Sequence, residues 1–311
     1  MQPFSYLNTP AGLMWVIVCI PLGVLMTALA YWIINHVPAK WLCDYNETPS
    51  EELLTGKRVK FLPTGAVASV IAALCLVLCR LQFNKGYDIY FCLLAVIVFD
   101  CLLIAVADIK YQIIPDQFTI ALGVLALAVT IYDFARGYHI FHTQWWSPIA
   151  GAFIGGAVML LVDFIGMLLY KRDGMGFGDV KLFFAAGILT GFPGTIYTFL
   201  ISILAAAVCF VVIILISKLT AGSSENQEEN TGLPEEKQDG EESSLKESTT
   251  DGSEKSDLLA DEAAAEEQTE EKSVGLGSYL AFGPYIAAAV IAYIAFFDSI
   301  YYLVGLYLNL F

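Results

Sequence analysis

A chain of 311 residues that is 57% hydrophobic and only 15% charged, with a mean hydropathy of +0.66, falls outside the range of soluble globular domains and reads as a polytopic membrane protein. Its formal charge of −15 is concentrated in one place: positions 220–272 hold 18 acidic residues against four lysines, and the remainder is close to neutral. Nothing in that distribution offers a basic footprint for nucleic acid, so no such partner is expected.

The predicted spans, in chain order, cover 11–34, 62–79, 88–108, 117–135, 147–170, 180–192, 194–217 and 279–297. They define an all-α integral membrane protein with about eight transmembrane helices. The first run is too long for a signal-peptide core and lacks a processing site, so it is expected to stay as a span. The sixth run is short and ends at Gly191-Phe192-Pro193-Gly194, a sequence suited to a tight reversal. The last fifteen residues, 297–311, suit an interfacial segment or an incomplete ninth span. Four regions follow: 1–86 with two spans and a short loop, 87–217 as the membrane core, 218–275 as an acidic loop, and 276–311 as a closing membrane segment.

If the N-terminus is outside, one face receives Lys40, Lys57, Arg58, Lys60, Lys110, Lys171, Arg172, Lys181 and Lys218, and the other only Arg80, Lys85 and Arg136. The first face is therefore expected to be cytoplasmic. The stretch 218–275, rich in Glu, Ser, Thr and Gln, is expected to be disordered there, with a short helix possible over 258–271.

Two carboxylates reach the cytoplasmic boundary from distant parts of the chain: Asp108 at the end of the third span and Asp179 at the start of the sixth. A pair of this kind can hydrolyse a peptide bond, one ionised member activating water and the other, protonated, hydrogen-bonding the scissile carbonyl. Gly174, Gly176 and Gly178, just before Asp179, can adopt positive φ and allow a substrate backbone to approach closely. A phosphate loop is disfavoured, because Walker spacing is missing and an acidic side chain stands where phosphate would be repelled. Asp116 is read as a cap of the fourth span. Asp100 and Asp163, inside predicted spans, are read as possible supporting polar groups; Asp100 is two turns, about 12 Å, from Asp108.

No metal or other cofactor is expected. His139 and His142 lack a third ligand and are read as part of an interfacial aromatic belt with Trp145 and Trp146. His36 earns no catalytic role. Six of the seven cysteines lie in apolar runs, which argues against a disulfide framework.

The motifs Asp108 to Asp116 (DIKYQIIPD) and Gly174 to Leu182 (GMGFGDVKL), followed by Phe282-Gly283-Pro284, resemble the bacterial type IV prepilin peptidases, membrane aspartyl proteases of the Gly-x-Gly-Asp class. The resemblance implies Asp108 and Asp179 as the catalytic pair, Gly176 and Gly178 as the shaping glycines, and Lys181 beside the pair. It also implies a bacterial inner-membrane location, prepilin or pseudopilin substrates, and links to pilus, type II secretion or DNA-uptake machinery. Longer members carry paired Cys-x-x-Cys elements that accompany N-methylation. Here only Cys43 lies between the first two spans, which puts methyl transfer in doubt. A proton-coupled transporter or a noncatalytic pilin-binding scaffold are the alternative readings.

Overall fold

The computed structural model describes residues 10–43, 51–54, 58–83, 87–142, 144–170, 176–228 and 281–308. Its helices are α1 (Pro10–His36), α2 (Glu51–Leu54), α3 (Thr64–Gln82), α4 (Asp88–Tyr111), α5 (Asp116–Arg136), α6 (Ser147–Tyr170), α7 (Phe177–Glu228) and α8 (Gly283–Leu308), with a 3₁₀ turn at Ala39–Trp41. The described residues contain no strand. Seven of the helices are long and apolar enough to cross a membrane.

One of those seven is two helices in sequence. Gly191 interrupts α7 with φ 68° and ψ −179°, a conformation that costs a side-chain-bearing residue strain and glycine almost nothing. Phe183 and Phe199 would lie about 24 Å apart along an unbroken helix, yet their ring centroids are 5.9 Å apart. The chain therefore folds back at the expected reversal. Small residues let the reversal nest against α6: a methyl group on either Gly151 or Gly187 would overlap the backbone of the other.

Helix ends depart from expectation in three places. The span over 194–217 does end at Ser217, but the helix does not stop with it and continues to Glu228, because each further residue adds a hydrogen bond without a new nucleation cost. The last fifteen residues do not begin a separate element either: α8 runs unbroken from Gly283 to Leu308. It starts at Gly283 rather than near 279 because Pro284, which has no N–H to lose, suits the first helical turn. The possible helix over 258–271 lies outside the described residues.

The chain divides into two compact units, Met1–Phe210 with Ala281–Phe311, and Val211–Leu280. In the first unit, α4 packs against α1, α3, α5 and α8. Being apolar all round, it is suited to a central position, and Tyr90, Leu94, Ile97 and Ile104 on it are fully buried. Tyr293 of α8, Leu122 of α5 and Phe183 of α7 complete that core. The outward faces are also apolar, with Val70, Leu168 and Leu169 at 69–70% exposure, as lipid contact requires. Centrality is what lets the last turn of α4 meet the start of α8 and the α4–α5 loop meet the start of α7.

Candidate active site

The end of α4 is shaped by a left-handed residue. Gln112 adopts φ 54°, and its N–H bonds the Asp108 carbonyl at 2.8 Å, closing the helix by a left-handed cap. The chain then runs extended to Pro115, which begins α5 at φ −61° and ψ 129°. Asp108 is left in the last turn, with 4% of its surface exposed.

The partner of Asp108 comes from 175 residues downstream. The Gly283 N–H donates to its Oδ2 at 2.9 Å, so the carboxylate sits at the N-terminus of α8, where unpaired N–H groups and the helix dipole favour negative charge. Glycine is required by the approach: a Cβ at 283 would lie 2.6 Å from Asp108 Oδ2 and 3.0 Å from Ile114 Cδ1.

Asp179 occupies the first turn of α7, 8% exposed, with its N–H bonded to the Gly176 carbonyl at 3.0 Å. Its Oδ1 is buried and has no hydrogen-bond partner among the described residues. Ile114 joins the three segments, since a Cβ at Gly178 would meet its Cβ at 3.2 Å while its Cδ1 lies against Gly283. The DIKYQIIPD loop thus packs against both glycine elements at once.

Neither Gly176 nor Gly178 has positive φ; Gly178 is needed because Ile114 packs on it, and a Cβ at Gly176 would have no neighbour nearer than 4.0 Å. Gly174 lies outside the described residues.

Asp116 is also placed differently. Pro115 holds the N-cap position, and Asp116, the first helical residue, receives Lys181 Nζ on both oxygens at 2.8 and 3.0 Å. The ammonium lies 5.0 Å from the Phe177 ring centroid. This half-buried pair ties the start of α5 to the start of α7 beside Asp179. Asp100 is buried, with Oδ2 unbonded among the described residues, but stands two helical turns from Asp108. Asp163 is half-buried on α6.

At the opposite end of these helices, His142 is not part of an aromatic belt. It is completely buried, stacked at 17° on Phe134, with Nε2 3.3 Å from Thr130 Oγ1. Burial lowers its pKa to about 4, so the ring is neutral. It sits under the Gly191 turn, close enough that a Cβ there would meet Nδ1 at 2.6 Å. Trp145 and Trp146 remain exposed.

Sequence reading missed Asp133, fully buried, whose two oxygens accept the Ile140 N–H at 3.2 and 3.1 Å. An acidic residue in the last turn of a helix, where the dipole disfavours it, was the available signal. It also missed Arg58, which donates from Nε to the Leu53 carbonyl at 2.9 Å and from a terminal nitrogen to the carbonyls of Ile34 and Val37, closing the C-terminal end of α1. Among the described residues, no group of three His, Cys, Asp or Glu side chains could hold a metal ion.

Residues 94–211, the stretch carrying Asp108, Asp116, Asp179 and Lys181, match the type IV leader peptidase family. Over 117 residues the chain is 31% identical to a prepilin leader peptidase/N-methyltransferase of Xanthomonas campestris pv. campestris. The similarity spans 36% of this chain and 37% of that relative. No solved structure matches the chain.

Proposed function

Because residues 94–211 match the type IV leader peptidase family, we propose that the protein is an aspartyl endopeptidase that removes the leader of type IV prepilins or pseudopilins at the cytoplasmic boundary of a bacterial inner membrane. The observation that supports this reading is that Ile114 lies against both Gly178, next to Asp179, and Gly283, whose N–H holds Asp108, which puts two buried carboxylates from separate helices in one neighbourhood, one of them with an oxygen unengaged among the described residues.

Two like charges at short range in a dry setting share a proton rather than both ionise. The Gly283 N–H and the α8 N-terminus stabilise charge on Asp108, which suits it to draw a proton from water. Asp179 then keeps the shared proton and donates its hydrogen bond to the scissile carbonyl. The water oxygen adds to that carbon, and the intermediate collapses as the amide nitrogen takes from Asp108 the proton drawn from water and leaves as an amine. Lys181, tied to Asp116, steadies the turn that delivers Asp179. An apolar substrate segment can stay in the bilayer while its extended, basic leader meets the carboxylates. Methyl transfer is not proposed.

The test is leader release from prepilins by the purified full-length protein and its D108N and D179N variants. Each substitution keeps size and removes proton sharing; each is expected to lower release by about a thousandfold or more, with insertion into the membrane unchanged. Full activity of either folded variant would overturn the reading.

A further inference from the structure

A groove of about 1100 Å³ runs along α3, α4 and α8 on their lipid-facing side. Its lining is segregated by chemistry. At the end nearest Asp108 stand Arg58, Lys60, Thr64 and Lys110, three cations and a hydroxyl, and the lining includes no carboxylate among the described residues. From there the walls are apolar, formed by Val67 and Ile71 of α3, Leu102 of α4, and Ile291 and Phe296 of α8. Val67, Ile71 and Phe296 are 61%, 53% and 44% exposed, so the groove opens sideways to the bilayer.

We propose that this groove is a binding site for an anionic phospholipid, with the phosphate among Arg58, Lys60 and Lys110 and the acyl chains along the apolar walls. The charge pattern selects the occupant. Cations between transmembrane helices at a cytoplasmic boundary attract anionic headgroups, and a choline headgroup would bring a further positive charge to three already present. A transmembrane segment preceded by a basic leader would do the same. The Arg58 guanidinium is held in place by the carbonyls of Leu53, Ile34 and Val37, so one phosphate partner is already ordered before the lipid arrives. Thr64 Oγ1 is fixed beside it by the Tyr31 hydroxyl at 3.1 Å. The site does not rest on the peptidase reading, and its test does not use activity.

The full-length protein is placed in vesicles of phosphatidylcholine with a minor fraction of phosphatidylglycerol of the same acyl chains, extracted, and its retained lipid measured by native mass spectrometry. Wild type is expected to retain phosphatidylglycerol in preference. The K60Q/K110Q variant, altered only at exposed side chains, is expected to retain it about tenfold less. R136Q, outside the groove, is expected to leave retention unchanged. A288W, at an exposed groove-lining position, is expected to displace both lipids. Equal retention of the two lipids by wild type, or undiminished phosphatidylglycerol in K60Q/K110Q, would refute the site. Displacement of the lipid by a leader-bearing prepilin transmembrane peptide would assign the groove to substrate and refute it equally.

Discussion

The two ends of this helical core bury the same kinds of side chain and use them in opposite ways. Around Asp133, polar groups are committed to backbone. The Asp133 carboxylate holds the Ile140 N–H, Ser147 Oγ accepts the Phe192 N–H at 3.1 Å, and Thr195 Oγ1 donates to the Gly191 carbonyl at 2.7 Å. Around Asp108, a single backbone N–H reaches one carboxylate, while its neighbour Asp179 keeps an oxygen with no hydrogen-bond partner among the described residues. If the Asp108 end is the reactive one, as proposed, burial of an acid does not by itself mark a reactive site. What distinguishes the two ends is whether the acid's hydrogen-bonding capacity is consumed by the fold or left open to something that arrives later.

If that contrast is right, substitutions at the two ends should separate activity from stability. Gly283→Ala should have the largest effect after the carboxylate replacements themselves. Its methyl group displaces Asp108, so leader release should fall about a hundredfold while helical content measured by circular dichroism is retained. Activity near wild type would mean that the Gly283 contact does not position Asp108.

Acid should lower stability through the other end. The neutral His142 binds its proton only near pH 4 when folded, whereas an unfolded histidine does so near pH 6.5, so between those values the unfolded state holds more protons. The stability from this group is complete above about pH 6.5 and is lost as pH falls toward 4, by up to about 3 kcal/mol. Melting temperatures across that range should drop in wild type and drop less in His142→Asn.

Asp133→Ala leaves the Ile140 N–H without its acceptor and should lower stability by about 1–3 kcal/mol, with leader release per folded molecule unchanged. A loss of release at unchanged stability would erase the distinction between the ends. The smallest effect belongs to the half-buried ion pair. Lys181→Met should reduce stability by no more than about 1 kcal/mol, and the exchanged pair Asp116→Lys with Lys181→Asp should recover most of any lost activity. Failure of the exchange alongside intact folding would show that Lys181 acts by more than its pairing.

Much of this arrangement was legible in the amino-acid order. Long apolar runs gave the spans because hydrocarbon tolerates only helices that satisfy their own backbone, and Gly191 with Pro193 gave the reversal because few residues accept a left-handed turn. The DIKYQIIPD and GMGFGDVKL motifs stood out because carboxylates are costly at a membrane boundary without a reason to be there. Other features were not legible. The ion pair between Asp116 and Lys181 joins residues 65 positions apart, and the bond from Gly283 to Asp108 joins residues 175 apart; neither has a local signal. His142 read as a surface histidine because the turn that covers it comes from another helix.

Sequence by itself settled where the helices run and which residues are unusual for their setting, since both follow from local composition and from the cost of placing charge in lipid. Only the tertiary structure decided which of the buried acids were satisfied. That depends on backbone groups delivered by distant segments, and on glycines at 178 and 283 small enough to let Ile114 and Asp108 close in.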